Sequence, residues 1–451
     1  MVAVHVRALA WPDDDQGGPS PGSSLETGSG ASLQLGSYRP VLGPLGPLVW
    51  GIDGPTEVLE RAGAGLPPGA ARAEAMAARL RREGVAMTWG ESERPGSTAN
   101  VDQICYEHGR SSVLMARADP DVLPYVQLGS WFNASWKVHL VRRALVSLPG
   151  AATLRRLAPG QGMGRRLRAD LAFWAGVRDE ATPQEWRRFT ASSYVVLSYH
   201  RLAGERRPGQ EQLDIAPRRF DAHMRLLARL GFRPLSVEDV VRFARDPTAV
   251  LARRSYLATF DDAFQDNAEP LRRHPEAAPV LFAPTAAVGG AANWTEGEPV
   301  LSWDELRALE RAGVVVGSHA RSHPRLTDLT ERDANDELRG SREDLAAHLA
   351  HPVAAIAYPH GAHDMAVVRQ ADDAGFVAGF ATAPGRNGAG THLLCLRRVG
   401  IWAQDGRLRF VWKLLTGDYA PGQSRTAGLG WLTLARRARR PDLSTAESAG
   451  T

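Results

Sequence analysis

Short apolar runs alternate with segments of helical pattern throughout the second half of the chain. An apolar run bounded by turn residues is typical of a buried strand, whereas apolar residues that recur every three or four positions indicate a helix. Such alternation predicts parallel strands with helices packed outside them. The predicted strands are residues 194–199, 256–260, 280–283, 314–317, 353–358, 377–381 and 396–401, and the predicted helices are residues 217–231, 236–245, 302–313, 331–351 and 364–375.

This repeat predicts an α/β fold in the form of a (β/α) barrel. The number of strand–helix repeats suits a barrel better than an open doubly wound sheet, and no Gly-rich dinucleotide-binding fingerprint occurs. In barrels of this kind the active site lies at the carboxyl ends of the strands. Polar side chains that directly follow predicted strands are therefore the first candidates for function.

The first half has a different pattern and predicts a mostly helical, partly disordered region in front of the barrel. Residues 1–69 contain a long tract rich in Gly, Ser and Pro, which predicts a low-complexity and largely disordered segment. Residues 70–190 predict helices broken by prolines, with a short strand at 85–89. The barrel is expected to occupy residues 191–420, followed by a C-terminal tail at 421–451.

Tryptophans of the helical region lie among arginines and give it an amphipathic character. Residues of this kind usually pack one helix against another. The alternative is a surface that touches a membrane, and the sequence leaves both readings open. The tryptophans concerned are Trp131, Trp136, Trp174 and Trp186.

Length, composition and charge narrow the class of protein. The 451 residues predict two or three structural units, and a hydrophobic content of 43% is enough for a sizeable core. The formal charge is +4, Arg greatly outnumbers Lys and no long basic run occurs, so we expect no nucleic-acid partner. The two cysteines, Cys105 and Cys395, cannot form a disulfide framework.

The sequence also indicates where in the cell the protein is expected to act. The first residues, Met1 to Trp11, lack the charged region and apolar core of a secretory signal. No stretch of about 18 apolar residues occurs, so no membrane-spanning helix is expected. We therefore expect a cytoplasmic protein, with the inner face of a membrane as an alternative place of action. The oligomeric state is left open.

Two pairs of polar residues follow predicted strands and carry the candidate chemistry. Asp261 and Asp262 follow the strand at 256–260, and His319 and His323 follow the strand at 314–317. Two imidazoles and one carboxylate can hold a divalent metal and leave positions open for water and substrate. Such a metal lowers the pKa of bound water and polarises a carbonyl oxygen, while the spare carboxylate can act as a base. This set is suited to hydrolysing an amide or an ester.

Each pair also has a structural interpretation. The two aspartates could cap a helix that follows the strand. The two histidines could lie on a solvated helix face, since they are four positions apart. Pro324 disfavours a continuing helix at His323, because the residue before proline is pushed towards an extended conformation. A loop that presents both imidazoles is therefore the better interpretation.

The order of these motifs resembles the NodB-type polysaccharide deacetylases, a carbohydrate esterase family of metal-dependent N-deacetylases. Residues 259–263, Thr-Phe-Asp-Asp-Ala, resemble the family's Thr-Phe-Asp-Asp-Gly motif, and residues 318–324 resemble its His-(Ser/Thr)-x-x-His motif. Residues 357–361 resemble its Tyr-Pro-Tyr-Gly motif, and residues 197–201 resemble the Tyr-His-Arg opening of one branch. The resemblance covers residues 191 to about 416.

The resemblance implies a distorted (β/α) barrel that removes an N-acetyl group from an amino-sugar-containing glycan. It implies one divalent ion, with zinc as the expected metal, and a carbohydrate substrate as the partner. Two alternatives to this function are a protein that binds carbohydrate without hydrolysing it and a metal-dependent amidase that acts on a non-sugar substrate. By the same resemblance Asp261 is the general base, the metal ligands are Asp262, His319 and His323, and weaker candidates for substrate contact are Tyr358, His360 and His200.

Several positions depart from the family pattern. Ala263 replaces a glycine, which costs free energy if the backbone there needs a positive φ. Ala320 replaces a Ser or Thr that would brace the loop, and Ser318 or Ser322 could compensate. The arginine that precedes the third motif in many members and braces the base is absent, and the histidine that usually protonates the leaving amine is not evident, which motivates the non-catalytic alternative. His200 and His360 are weak candidates for the proton donor. Asp364 is either a partner of the site or a helix cap, and His392 is expected at the surface.

Residues 65–178 carry a fainter resemblance to the C-terminal end of a family-two glycosyltransferase. It rests on Gly-Leu-Pro-Pro-Gly at 65–69, on Tyr-Glu-His-Gly-Arg at 106–110 and on the segment 173–178. The nucleotide-binding half of such an enzyme and its Asp-x-Asp motif are absent from the sequence. This region is therefore expected to be a remnant, a docking segment or a scaffold, and residues 1–190 are expected to be dispensable for acetyl removal.

Overall fold

The structure is a computed structural model. It describes residues 4–8, 49–53, 56–69, 71–83, 87–91, 98–133, 139, 142–143, 146, 162–204 and 212–420.

A small sheet and a group of helices precede the barrel. The sheet has the strand order β2-β1-β3, in which β1 pairs antiparallel with β2 and parallel with β3. The strands β1, β2 and the helix α1 fall within residues 1–69, where composition predicted a largely disordered segment. The elements are β1 (Val4–Ala8), β2 (Val49–Asp53), α1 (Thr56–Gly63), α2 (Arg72–Arg82), β3 (Met87–Glu91), α3 (Thr98–Ala118), α4 (Gly162–Glu180) and α5 (Pro183–Thr190).

Parallel strands form the larger sheet, and every strand predicted in the second half is present. The main path runs β10-β9-β8-β7-β6-β4, and three short strands are attached to it. Of these, β5 pairs with β6, while β11 and β12 both pair with β4. The strands are β4 (Ser193–Tyr199), β5 (Arg233–Pro234), β6 (Ser255–Phe260), β7 (Val280–Ala283), β8 (Val315–Ser318), β9 (Ala355–Ala357), β10 (Ala378–Phe380), β11 (Asn387–Gly388) and β12 (Val399–Gly400).

The segment that leads into β12 closes this sheet into a distorted barrel. Leu396 forms a parallel bridge with Phe380 of β10, and its N–H donates to the carbonyl of Gly379 over 2.7 Å. Three residues later, Val399 pairs in parallel register with Leu197 of β4. The same stretch of chain therefore contacts the last and the first long strands of the path, as a (β/α) barrel requires.

Helices cover the outside of the barrel at the five predicted places, and two further helices, at 268–272 and 407–416, were not predicted. Their starts are encoded locally: Ser236 and Ser302, for example, each accept a hydrogen bond from the backbone N–H three residues later and complete a capping box. The helices are α6 (Pro217–Arg229), α7 (Val237–Arg245), α8 (Ala268–Arg272), α9 (Trp303–Arg311), α10 (Glu331–His348), α11 (Met365–Asp373) and α12 (Arg407–Thr416).

The barrel strands are buried on both faces. Along β4, Val195 and Leu197 pack in one core cluster with residues of the surrounding helices, such as Phe220. Successive side chains point to opposite faces of a strand, so Val196 faces the barrel interior. Val196 belongs to a second cluster that also contains Trp174 of α4. The helical region and the interior of the barrel therefore share one hydrophobic core.

The arginines and tryptophans of the helical region pack inside it. Trp131 and Trp174 are buried with their rings 4.6 Å apart, and the Arg142 guanidinium lies over both. Asp170 accepts two hydrogen bonds from Arg142, over 2.7 and 2.6 Å. Trp186 is half-buried with its ring 6.0 Å from that of Trp131. These residues form a core and not a membrane-facing surface, while Trp136 lies outside the described residues.

None of the helices that the structure describes combines the length and the apolar character needed to cross a membrane.

The shared core predicts that the barrel and the helical region unfold together. Trp174→Ala removes a fully buried ring and should lower the free energy of unfolding by about 3–5 kcal/mol. Chemical denaturation followed by near-ultraviolet and far-ultraviolet circular dichroism should show one transition at a lower midpoint. Leu408→Ala is the control, because that side chain is exposed and its loss should change stability by less than about 0.5 kcal/mol. Two separate transitions, only one of which moves in Trp174→Ala, would contradict a shared core.

Candidate active site

The two predicted residue pairs meet at the carboxyl ends of the parallel strands. Asp261 and Asp262 directly follow β6, and His319 directly follows β8. The ligand atoms of Asp262, His319 and His323 all lie within 4.8 Å of one another, and all three residues are buried. The Asp262 Oδ1 atom lies 3.7 Å from His319 Nε2 and 3.2 Å from His323 Nε2. The structure thus brings these three side chains to one point.

The chemistry of this cluster fits a divalent metal ion. Metal–ligand bonds of about 2.0–2.2 Å place neighbouring ligand atoms roughly 3–3.5 Å apart, which is close to the separations seen here. Among the described residues, none forms a hydrogen bond with the buried Oδ1 of Asp262. His319 Nδ1 lies 2.7 Å from the carbonyl of Ala357. That oxygen can only accept, so Nδ1 carries the proton and the lone pair of Nε2 faces the cluster.

The protonation of the cluster also suits a metal. Burial lowers the pKa of His319 to about 4, against the opposing effect of the Asp261 carboxylate. Burial alone would raise the pKa of Asp262, but contact with His323, reinforced by His200 and His319, gives a net downward shift. A neutral imidazole and an ionised carboxylate are the forms that bind metal ions.

The loops of the site hold unusual backbone conformations. Asp262, Ala263, Ala320, His323 and His360 have φ values of 71°, 48°, 60°, 63° and 60°. Side chains with a Cβ rarely adopt this left-handed region, at a cost of roughly 1–2 kcal/mol per residue. Position 263, where the family motif has glycine, therefore does require a positive φ, and alanine adopts it here. The surrounding contacts must hold these turns in place.

A network on α10 braces the histidine loop. Ser318 Oγ accepts from the N–H of Ala320 over 3.1 Å and hydrogen-bonds Ser341 Oγ over 2.7 Å. The Ser322 hydroxyl donates to Glu337 Oε1 over 2.6 Å, and its N–H donates to Glu337 Oε2 over 2.9 Å. The hydroxyl that Ala320 lacks is therefore replaced by Ser318 and Ser322, as expected.

Arg398 braces Asp261, although the family arginine that precedes the Tyr-Pro motif is absent from this chain. Its two terminal nitrogens donate to Asp261 Oδ1 over 2.6 Å and to Oδ2 over 2.9 Å. Its Nε donates to the carbonyl of Ala381 over 2.8 Å, and the side chain is buried. Motif comparison did not reveal this contact, because Arg398 comes long after the Tyr-Pro motif, in the segment that closes the barrel.

This ion pair keeps Asp261 ionised. Burial by itself would raise the pKa of Asp261, but the Arg398 guanidinium, followed by His319 and His200, outweighs it. The net shift of the pKa is downward. A planar guanidinium that meets a carboxylate side by side also fixes its orientation.

His200 stands beside Asp261 at the mouth of the barrel. Its Nε2 lies 3.9 Å from Asp261 Oδ2, and 26% of its side chain is exposed. Its backbone carbonyl accepts from Asn267 Nδ2 over 2.7 Å, and the same amide's Oδ1 accepts from the N–H of Leu202 over 2.8 Å. The loop that carries His200 is therefore fixed by a buried side chain.

The two residues predicted from the Tyr-Pro motif have different surroundings. The ring of His360 lies 4.5 Å from that of His323 and is half-buried, and burial lowers the pKa of His360 to about 3. Tyr358 is fully buried, and its hydroxyl donates to the carbonyl of Leu394 over 2.9 Å. Tyr358 is therefore a core residue with no exposed atom for a substrate, which corrects that expectation.

Three further side chains lie in or near the site or were considered for it from the sequence. The ring of Trp294 stacks on that of His323 at 4.3 Å, a contact that no sequence motif indicated. Asp364 accepts from the N–H groups of Ala366 and Val367 and so caps α11, as its structural interpretation predicted. His392 is half-buried against the ring of Tyr125, and not at the surface.

The buried pair predicts a specific stability effect. Arg398→Met leaves the Asp261 carboxylate buried without its cation and should lower the free energy of unfolding by about 3–5 kcal/mol. Asp261→Asn in the same chain removes the charge, so the double variant should recover much of that loss in chemical denaturation. Arg311→Met changes an exposed arginine and serves as the control. Additive losses in the double variant would show that the two side chains do not interact.

Comparisons with known proteins agree with this geometry. A sequence model of the polysaccharide deacetylase family matches residues 251–379. The chain is 22% identical over 210 residues to YxkH of Bacillus subtilis, a protein described as a polysaccharide deacetylase, and the match covers 46% of this chain and 70% of that protein. These matches give no support to the glycosyltransferase resemblance of residues 65–178.

Solved structures of deacetylases are similar to half of the chain. The Streptococcus pyogenes deacetylase PplD, in complex with acetate, matches with 21% identity and a TM-score of 0.45, over 50% of this chain and 99% of that one. A polysaccharide deacetylase from Bacillus cereus matches with 26% identity and a TM-score of 0.43, over 50% of this chain and 70% of that one. Motifs, barrel and family match together identify the C-terminal half of this chain as a polysaccharide deacetylase domain, a hydrolase of carbon–nitrogen bonds other than peptide bonds.

Proposed function

We propose that this protein is a metal-dependent N-deacetylase that removes acetyl groups from amino sugars in a glycan. One observation carries the proposal. Three side chains that could hold a metal ion and a separately braced carboxylate lie at the same end of one barrel. The polysaccharide deacetylase match supports a carbohydrate substrate, and an N-acetyl group is the amide that such a substrate offers.

Asp262, His319 and His323 are proposed to hold the metal, with zinc as the best candidate. One carboxylate and two imidazoles suit zinc and similar transition metals better than magnesium or calcium, which prefer oxygen ligands. A bound ion of this type would polarise the acyl carbonyl and make a water molecule more acidic. The remaining chemistry is assigned to side chains of the protein.

Asp261 is proposed to act as the general base. Its carboxylate is ionised, held by Arg398 and next to Asp262 in the sequence, so it lies beside the metal cluster without being needed as a ligand. It accepts a proton from the water that attacks the acyl carbon. Because Arg398 fixes both of its oxygens, the carboxylate is held in one orientation for this transfer.

His200 is proposed to protonate the leaving nitrogen. When the carbon–nitrogen bond breaks, the amine must take up a proton, and acetate is the other product. His200 lies next to Asp261 and part of its imidazole is exposed at the mouth of the barrel. His360 is the weaker candidate, since its ring packs against His323 on the metal side of the site.

The alternative hypothesis, a protein that binds carbohydrate without hydrolysing it, loses its main support. It was motivated by a missing brace for the base and a missing proton donor, whereas Arg398 and His200 occupy positions suited to both roles. The other alternative, an amidase that acts on a non-sugar substrate, can be distinguished by measuring which substrates the protein hydrolyses. A carbohydrate substrate would be supported if the protein releases acetate from N-acetylglucosamine oligomers but not from simple N-acetyl amino acids.

Chelation and two variants test the roles of the metal cluster and the base. Wild-type protein should release acetate from N-acetylglucosamine oligomers, and a chelator should abolish this. Asp261→Asn should lower kcat by about three orders of magnitude or more, as expected for loss of a general base together with its charge. It should keep its bound metal, since Asp261 is not proposed as a ligand. His319→Ala should lose metal and activity together.

Metal content measured by mass spectrometry on the purified variants decides between the roles. His351→Ala, which changes an exposed histidine, is the matched control and should keep both metal and activity. Equal metal loss in Asp261→Asn and His319→Ala would contradict the division into base and ligand. Full activity of metal-free protein would overturn the proposed function.

The proton donor can be tested through the leaving group. His200→Ala should lower kcat on an N-acetyl sugar by about 10²–10⁴-fold, the usual contribution of general acid catalysis. On an acetate ester of a nitrophenol, whose leaving group departs without a proton, the same variant should be close to wild type. His360→Ala is measured in parallel. If His360→Ala shows this selective loss and His200→Ala does not, the assignment to His200 is wrong.

A further inference from the structure

The last helix of the barrel domain has apolar side chains on two faces. On the inner face of α12, Phe410 and Leu414 are buried in the barrel core. On the outer face, Leu408 is 88% exposed and Leu415 is 59% exposed. Among the side chains that the structure describes, these two are the exposed large hydrophobic ones. They are seven positions apart, two helical turns, and so lie on the same side of α12.

Exposed arginines lie on the helix that carries this apolar strip and on the helix packed beside it. On the neighbouring helix α6, Arg218, Arg225 and Arg229 recur at the spacing of one helical face, and all are exposed. Arg407 and Arg409 add two exposed positive charges at the start of α12. Within the described part of the chain, none of these arginines forms an ion pair with a carboxylate.

A cavity of about 370 Å³ lies between the two helices and is rich in arginine. Arg225, Arg229 and Arg407 line it with their exposed side chains. Asp405 also lines it, but its carboxylate is buried and accepts a hydrogen bond from Lys413 over 2.5 Å. The exposed arginines of the cavity give it a positive character that suits an anion.

We propose that the face made by α6 and α12 binds the surface of an anionic lipid bilayer. Leu408 and Leu415 enter the boundary between headgroups and acyl chains, and the arginines contact lipid phosphates. An exposed apolar strip flanked by basic residues is the pattern of interfacial helices. Each basic residue near an anionic surface strengthens binding by about fivefold. This inference does not depend on the chemistry of the barrel site.

Charge argues against the other occupants of this face. A second copy of the chain would bring two arginine-rich surfaces together, which costs free energy. The tail at 421–451 carries five arginines against Asp442 and Glu447, so it has a net positive charge and would add like charge to the face. A nucleic acid would pair with the arginines but would leave the two leucines without apolar contacts. An anionic bilayer satisfies both the charges and the leucines.

Vesicle binding by the full chain tests the proposal. Wild-type protein is sedimented with vesicles of phosphatidylcholine alone or of equal parts phosphatidylcholine and phosphatidylglycerol. We expect binding to the anionic vesicles only, and weaker binding as salt rises. Arg225→Glu/Arg229→Glu/Arg407→Glu should lower the partition coefficient by about fivefold or more for each arginine changed. Leu408→Asn/Leu415→Asn should lower it by about tenfold or more.

The controls match the variants in size and charge. Arg245→Glu/Arg253→Glu/Arg311→Glu changes the same number of exposed arginines outside α6 and α12, and it should bind vesicles nearly as well as the wild type. All variants should release acetate from a soluble oligomer at the wild-type rate, since none of these residues belongs to the barrel site.

Several outcomes would overturn the proposal. One is wild-type binding by both face variants, and another is equal binding to neutral and anionic vesicles. A third is loss of binding only when Arg436, Arg437, Arg439 and Arg440 are reversed, which would assign the lipid contact to the tail. A fourth is a fall in sedimentation coefficient in Leu408→Asn/Leu415→Asn with vesicle binding unchanged, which would assign the face to contact between copies.

Discussion

The ion pair between Asp261 and Arg398 joins the end of β6 to the segment that closes the barrel. Arg398 also donates to the carbonyl of Ala381 after β10 and to the hydroxyl of Thr259 on β6. One buried guanidinium thus ties together three parts of the sheet. A carboxylate buried without such a partner would lose several kcal/mol of solvation. Closing the barrel and keeping Asp261 ionised are therefore the same physical requirement.

Residues in the left-handed backbone conformation show how this scaffold supports the cluster of Asp262, His319 and His323. Asp262 and His323 both have positive φ, a conformation that turns each side chain away from the path of an extended strand. The strain is local, and the bonds that oppose it come from elsewhere. Glu337 and Ser341 on α10 hold the histidine loop through the hydroxyls of Ser318 and Ser322. The helices outside the barrel therefore do more than cover the strands, because one of them fixes the geometry of the site.

Local patterns in the sequence predicted the barrel strands, most of the barrel helices and the approach of Asp262 to His319 and His323, but not the contacts made across the barrel. Asp261 and Arg398 are 137 positions apart, and their contact exists only because β12 pairs with β4. Tyr358 shows that the direction of a side chain is also hard to predict from sequence. It follows β9 directly, where neighbouring side chains point in opposite directions, so a motif position alone does not tell which residue faces the substrate.

Two strands of the small N-terminal sheet, β1 and β2, were missed for a related reason, whereas β3 overlaps the strand predicted at 85–89. The strands β1 and β2 pair across a long Gly-, Ser- and Pro-rich tract, and each is too short to show a period of its own. A pairing of this kind depends on tertiary contacts that composition does not reveal. Periodic segments such as α10, in contrast, carry their own cap and apolar face, which is why they were predicted correctly.

The helical region is an integral part of the barrel's support, although the family motifs lie in the C-terminal half. A Cβ added at Gly109 would lie 2.0 Å from the carbonyl oxygen of Phe173, and one at Gly176 would lie 2.0 Å from that of Tyr106. The backbones of α3 and α4 are therefore in contact, so the two helices behave as one rigid unit. That unit fixes Trp174 in the core that continues into the barrel interior. Chemistry is confined to one end of the barrel, while the packing that keeps its interior dry depends on residues that precede the first barrel strand.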